Sequence, residues 1–406
     1  MSAQIYNSGG AESLDTDSLI SRCSDLETLA VYPFSDQVLD CLKLLSKRLI
    51  GSEYARAMPQ IMALGYWIRP SALKGLQQKL QGSNDQNTIV SPRGLALHLP
   101  PQNVDTLFAY SWVLSYLVGN CNVVRVGSEP GAVSRWLIEQ ILLVLEEAGE
   151  NHRSIFCSYQ HSDTDIASKI SALCDLRVIW GGDEKIKTVS QSTTRPDGLT
   201  LGFSDRKSMC LVNTGAYKQS TVAEKMSLAQ NLYNDIFWFD QLGCGSPRLI
   251  AWVGAEKPEA QELYQLIDDV ANEKDHQTAT GVDLQKFSFA NVQLAQERAS
   301  KVNRVSSNVL VIDTESDSRL FDQVMGGGLL YQVQLSDIGE VSKFLRPDLQ
   351  TITEFGFDHS AKQELAKEMG LKGGYRIVPT GKALEFNPIW DGVELMSHFT
   401  RQVTVS

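Results

Sequence analysis

Leu95-Ala-Leu-His-Leu-Pro-Pro-Gln-Asn-Val-Asp-Thr-Leu-Phe108, continued by Val118-Gly119-Asn120 and Asn122-Val-Val-Arg-Val126, decides how this chain folds. Leu95–Leu99 reads as a strand, and Pro100-Pro101 stops it. Asp105–Val118 reads as a helix closed by Gly119-Asn120, and Asn122–Val126 as a second strand. Strand, helix and strand at this spacing predict two parallel strands joined by a crossover helix. The strands are apolar on both faces, which predicts a sheet covered by helices on both sides.

The alternation continues outward from there. Strands are predicted at Ser154–Ser158, Leu176–Trp180, Met209–Val212, Leu249–Val253, Asn308–Ile312, Leu329–Leu335, Gln350–Gly356 and Arg376–Pro379. Helices lie between them, for example Ser134–Ala148, stopped by Gly149. Residues 14–82 predict helices, because Val38, Leu42, Leu45 and Leu49 recur at three- and four-residue steps. The polar, acidic stretch before them predicts a frayed tail and neither a secretory nor a transit signal. Ser190–Gly202 is polar and loop-like and marks a passage between two α/β domains, while Asp275–Val302 is a long mixed segment. The last run, Thr400-Arg-Gln-Val-Thr-Val-Ser406, alternates like an exposed strand, an edge that invites pairing with a partner subunit.

Composition narrows the function. A chain of 406 residues is too long for one ordinary core. A formal charge of −11, with no block of Lys and Arg, argues against a nucleic-acid partner. The most apolar stretches, Leu107–Val118 and Ile141–Leu145, fall short of the ~18–20 residues that span a bilayer. The seven cysteines never form CxxC, and the six histidines form neither HxxxH nor HExxH, so neither a disulfide framework nor a metal site is expected. This usage fits a reducing cytoplasm. His98, inside a strand, is expected to be a satisfied core residue, and the Glu146-Glu147 and Asp268-Asp269 pairs to be solvated helix faces.

One cysteine differs from the rest. In Asn234-Asp-Ile-Phe-Trp-Phe-Asp-Gln-Leu-Gly-Cys-Gly-Ser-Pro-Arg248, Cys244 stands between two glycines, after an aromatic helix and before a strand. Small neighbours let a substrate carbonyl reach the sulfur, and the turn could aim peptide N–H groups at an oxyanion. A lone cysteine is equally a common core residue, and the residues alone leave that alternative open. Asn103 lies just beyond the carboxyl end of a strand, where ligands bind in open α/β sheets, and its amide could donate to a substrate oxygen; an ordinary turn Asn is the other reading.

Taken together, the Pro-Asn turn, the Gly119-Asn120 before Val123-Val124-Arg125 and the late Gln-x-Gly-Cys resemble the aldehyde dehydrogenase superfamily. Leu-Pro-Pro-Gln-Asn-Val-Asp-Thr-Leu-Phe, Phe-Asp-Gln-Leu-Gly-Cys-Gly-Ser-Pro and Arg376-Ile-Val-Pro with Trp390-Asp-Gly resemble, more closely, the long-chain acyl-CoA reductases. That family includes the acyl-CoA reductase subunit of the fatty-acid reductase of bacterial luminescence. The resemblance covers roughly residues 90–406.

The resemblance implies two parallel-sheet α/β domains and a C-terminal oligomerisation arm. The expected division is 1–205 (N-terminal helices and dinucleotide-binding domain), 206–380 (catalytic domain) and 381–406 (arm). It implies that Cys244 accepts the acyl group and that Asn103, with the Cys244 N–H, forms the oxyanion hole. Arg125 and Ser128 would lie at the adenosine ribose of the cofactor, and Gly181 and Gly182 at its pyrophosphate and nicotinamide. Trp390-Asp391 would line the acyl pocket or form a structural turn.

Two departures sharpen the expectation. Oxidising members carry a Glu base where Gly202-Phe-Ser-Asp-Arg-Lys-Ser208 places Phe203, with Asp205 a lesser candidate. Without that base the acyl thioester should resist water and pass to hydride or CoA. Ser128 replaces a Glu that would repel a 2′-phosphate, which favours NADPH, with NADH possible. Glu354-Phe355-Gly356 imitates a nicotinamide-ribose signature, but element order aligns that signature with Met325–Gly328, so Glu354 is left outside the site.

The expected activity is reduction of a fatty acyl thioester, from CoA or a carrier protein, to the aldehyde by a cytoplasmic homo-oligomer, with acyltransferase or acyl-activating subunits as further partners. Alternatives are an acylating reductase of acyl phosphates, a non-redox cysteine acyltransferase and a silent assembly subunit.

Overall fold

The computed structural model describes residues 2–82, 87–101, 103–160, 162–314 and 325–405. The chain divides into two compact units, residues 1–204 with 386–406, and residues 205–385. Residues 386–406 of the expected arm therefore belong to the first unit.

The first unit holds a seven-stranded sheet among the described residues, in the order Gly10–Asp15, Ser2–Asn7, Ser154–Ser158, Cys121–Arg125, Leu95–Leu99, Leu176–Trp180, Leu199–Phe203. The last five run parallel. From Leu95–Leu99 the chain builds two strands to one side, then returns to build two on the other. The order reverses between Leu95–Leu99 and Leu176–Trp180, and such a reversal opens a crevice at the carboxyl ends of the two strands. The crossover helix Leu107–Leu117 is buried at every position. Each fully buried large aliphatic side chain there contributes about 1.5–3 kcal/mol. His98 is fully buried and satisfied: its Nδ1 lies 2.7 Å from Ser111 Oγ and its Nε2 3.0 Å from Asn122 Oδ1. Burial pushes its pKa down to about 4, so the ring is neutral.

Several expectations need correction here. The amino-terminal segment is an ordered hairpin, Ser2–Asn7 with Gly10–Asp15, laid antiparallel on Ser154–Ser158. Ala3 and Ile5 reach the core while their neighbours stay polar, so a one-sided strand reads in sequence as a tail. The loop-like passage hides the strand Leu199–Phe203, which pairs with Leu176–Trp180. The final strand, Thr400–Thr404, pairs antiparallel with Thr88–Pro92 of its own chain.

The second unit repeats the plan. Its sheet runs Lys301–Arg304, Leu310–Asp313, Leu329–Leu335, Pro247–Val253, Lys207–Asn213, Leu349–Phe355, Arg376–Pro379, and all but the first strand are parallel. The central strand, Pro247–Val253, is buried throughout, as a strand covered on both faces must be. The mixed segment 275–302 contributes the helix Thr280–Ala295 and the start of Lys301–Arg304. Asp268, read as solvated, is buried and accepts hydrogen bonds from Ser306 and Asn272. No helix among the described residues is long and apolar enough to cross a membrane.

Candidate active site

The nucleophile candidate is shaped by the helix before it. Val222–Phe237 starts with a capping box, in which Thr221 and Glu224 satisfy each other's backbone N–H. It ends where Asp240 and Gln241 take left-handed conformations, with φ of 48° and 63°. The buried Gln241 amide fixes this reversal: it donates to Pro247 O (3.0 Å) and Leu329 O (2.9 Å) and accepts from Gly328 N (3.1 Å). Cys244 follows in a turn closed by Ser246 N to Gly243 O at 3.0 Å, and Ser208 Oγ donates to Cys244 O at 2.7 Å. The backbone around the sulfur is thus held from the helix and from the neighbouring strand.

Cys244 is partly exposed, whereas the other six cysteines are buried. Burial raises the thiol pKa of Cys23 and Cys210 to about 12 and of Cys41 and Cys121 to about 11, so these stay protonated and inert. Cysteines 157 and 174 are pushed up in the same way.

A loop from the end of this unit packs on the cysteine turn. A Cβ on Gly245 would stand 2.7 Å from Ala383 O, and one on Gly243 would stand 3.3 Å from Leu384 Cδ2. The loop is gripped from both sides. The Asp235 carboxylate accepts Gly381 N at 2.7 Å and Ala383 N at 2.9 Å, while Arg376 donates to Lys382 O (2.7 Å) and Ala383 O (3.2 Å). Asp235 is buried, and desolvation pushes its pKa up to about 7 in spite of the two amide donors.

The cofactor candidates gather in the first unit, at the carboxyl ends of three adjacent strands. Asn103 follows Leu95–Leu99 and is exposed; Gln102 of the same motif lies outside the described residues. Arg125 ends its strand, donates to Tyr159 O at 2.9 Å and lies over the Tyr159 ring at 5.0 Å. Ser128 is exposed in the loop that follows. Gly181 and Gly182 follow Leu176–Trp180, and Gly182 caps the helix Asp183–Ser190. Gly181 has a φ of 144°, and a Cβ there would strike Lys185 Cδ at 2.8 Å. Lys185 crosses the crevice, donating to Trp180 O (2.8 Å), Pro100 O (3.1 Å) and Leu99 O (3.3 Å). Asn103 and these residues belong to the first unit and Cys244 to the second.

The remaining candidates have structural partners. Phe203 is buried and stacked on Trp180, with ring centroids 4.3 Å apart, and Asp205 is exposed. Trp390 packs edge-on against Trp180 at 5.1 Å, and Asp391-Gly392, both with positive φ, form the tight turn of a short hairpin. Glu354 is buried in an ion pair with Lys362 at 3.0 Å. Lys185, Asp235 and Leu384 escaped the reading of the sequence, and Gln241 and Arg376 entered it only as motif residues without a role. Asp235 left a signal: with Leu228, Leu232 and Ile236 it falls on the buried stripe of its helix, where a carboxylate needs partners.

Comparison with known proteins now fixes the class. The fold is that of the aldehyde dehydrogenases: over 96% of this chain and 89% of the other, the structure superposes on aldehyde dehydrogenase 21 from Physcomitrella patens with a TM-score of 0.70 at 11% identity. The family model described as Acyl-CoA reductase (LuxC) matches residues 69–402. The chain belongs to that family. Among curated relatives, the long-chain acyl-protein thioester reductase of Aliivibrio fischeri is 24% identical over 305 residues, 71% of this chain and 59% of that protein. The one from Photorhabdus laumondii subsp. laumondii is 22% identical over 304 residues, 71% of this chain and 58% of that protein. The match thus spans somewhat more than half the length of these relatives.

Proposed function

We propose that the chain reduces a long-chain acyl thioester to the aldehyde, with Cys244 carrying the acyl group. The observation that carries this reading is the setting of Cys244 in a member of the acyl-CoA reductase family. It alone of the seven cysteines is partly exposed, in a turn flanked by two glycines against which the loop at Ala383-Leu384 packs.

In this reading the Cys244 thiolate attacks the thioester carbonyl. A carbon–sulfur bond forms, and the charge that develops on oxygen is accepted by the Asn103 amide and the Cys244 N–H. The C=O re-forms as the bond to CoA or carrier sulfur breaks, and that sulfur leaves as a thiolate. A reduced nicotinamide dinucleotide, when bound, would supply hydride to the acyl carbon; the C=O then re-forms as the bond to Cys244 sulfur breaks, which frees the aldehyde and restores the thiolate.

The residues present fit that cofactor. The crevice lies where the strand order reverses, and Arg125 keeps a buried Nε with no hydrogen-bond partner among the described residues. Arg125 and Ser128 would hold the adenosine ribose and a 2′-phosphate, hence NADPH, with Gly181-Gly182 at the pyrophosphate and nicotinamide. Phe203, an apolar stacked ring, supplies no base for water, so the acyl-enzyme is spared hydrolysis. Copies of the chain associate through the ribbon Thr88–Pro92/Thr400–Thr404, on which Ile89 and Val403 are half exposed.

The test is incubation with a radiolabelled long-chain acyl-CoA. Label is expected on the wild type, lost in Cys244→Ser, and released as aldehyde on adding NADPH. Label retained by the Ser variant overturns the reading.

A further inference from the structure

We propose that Lys185 is a positioning residue of the reductase site, its ammonium tying together the turn that leads to Asn103 and the turn at Gly181-Gly182. The inference rests on the roles given to those residues above.

Lys185 sits in the first turn of Asp183–Ser190, yet its side chain folds back across Gly181 and is partly buried. An ammonium has three protons, and three main-chain carbonyls receive them: Trp180 at 2.8 Å, Pro100 at 3.1 Å and Leu99 at 3.3 Å. Two of these carbonyls end the strands between which the sheet order reverses, and the third, Pro100, begins the turn to Asn103. One cation therefore fastens both lips of the crevice. With every proton engaged, it orients the backbone and leaves contact with an anionic ligand to other groups.

The bed of Lys185 explains Gly181. Any side chain at position 181 would meet Lys185 Cδ at 2.8 Å, so the glycine makes room for the lysine. The charges facing Lys185 are few. Arg125 stands across the crevice, and no carboxylate pairs with Lys185 among the described residues; Asp183 and Glu184 of its own helix are exposed. Desolvation, followed by repulsion from Arg125, pushes its pKa down to about 8. As pH rises through that value the neutral amine keeps two protons for three carbonyls, and one lip is released.

Lys185→Met and Lys185→Arg test this with three measurements. Without substrate, backbone hydrogen exchange at residues 103–104 and 181–184 is expected to quicken in the Met variant. Acylation of Cys244 by labelled acyl-CoA should slow about tenfold at saturation, as misplacement of a positioned group predicts, with half-saturation moved less than about twofold. Wild-type acylation should decline as pH rises past about 8, a limb displaced upward by Arg, which stays charged, and missing in Met. Unchanged exchange overturns the proposal. So does exchange that quickens while the saturated rate and the alkaline limb stay as in wild type, because Lys185 is then only structural. If the wild type takes no acyl label, the reading of Cys244 fails, while the exchange rates still decide whether Lys185 holds the two turns.

Discussion

The carboxylate of Asp235 accepts the main-chain N–H of Ala383 at 2.9 Å, and the carbonyl of that same Ala383 faces Gly245, next to the candidate nucleophile. A buried acid on one helix thus sets the height of a loop against the turn that carries Cys244.

That acid gives the unit a measurable pH dependence. The carboxyl of Asp235 is raised from 3.8 to about 7, so the folded state holds its proton more tightly than the unfolded chain. Stability from this group is fully present below about 3.8 and is lost as pH rises through about 7, by at most roughly 1.4 kcal/mol per pH unit. Urea unfolding of wild type and Asp235→Asn across that interval should show the wild-type advantage shrinking as pH rises; a constant difference contradicts the assignment. Asp235→Leu, which strands the buried Ala383 N–H, should lose about 1–3 kcal/mol at low pH, a loss that shrinks as pH rises toward about 7.

The two glycines beside Cys244 should not tolerate alanine equally. At Gly245 the new methyl meets a main-chain oxygen at 2.7 Å, so the loop has to move; at Gly243 it meets the mobile end of Leu384 at 3.3 Å. Acyl labelling is expected to fall at least about tenfold in Gly245→Ala and much less in Gly243→Ala. Adding Leu384→Ala should restore the Gly243 variant and leave the Gly245 variant impaired. Equal losses with no such rescue would remove the loop from the account.

Gln241 is a keystone of the same turn. Its amide makes three hydrogen bonds to buried backbone, and Gln241→Ala strands two carbonyls and an N–H at once. A loss of roughly 2–4 kcal/mol follows. Thermal unfolding measures it, and a drop below about 1 kcal/mol means water replaces the amide.

Cofactor choice should follow Arg125 and Ser128. Arg125→Ala is expected to weaken NADPH binding about tenfold, with little effect on NADH. Ser128→Glu should reverse the preference by repelling the 2′-phosphate. Fluorescence titration with both nucleotides gives the ratio, and an unchanged ratio in either variant places the 2′-phosphate elsewhere.

The central strands were legible because strands buried on both faces leave unbroken apolar runs, and Leu95–Leu99 and Leu176–Trp180 fall at the expected residues. Strands toward the ends of the sheets were harder to read, Arg376–Pro379 excepted. Ser2–Asn7 and Leu199–Phe203 bury only part of their side chains, so their composition matches that of loops. At the candidate site, Cys244 announced itself through its glycines and Asn103 through its place after a strand. Lys185 and Asp235 did not, because what marks them is the backbone atom each one holds, and that partner is distant in sequence. Asp268 misled for the same reason: beside Asp269 it reads as half of a solvated pair until Ser306 comes to meet it.

The first unit is written in two instalments, with all of the second between them. Phe399 O receives the Asn120 amide, Arg401 reaches Asp175 at 3.1 Å, and Thr400–Thr404 zips onto Thr88–Pro92. On the ribosome, residues 205–385 emerge as one uninterrupted stretch and have every contact of their own sheet available before the earlier-made unit can receive its last strand. The half holding Cys244 is thus free to mature first, while the first unit waits, unfinished, for residues 386–406.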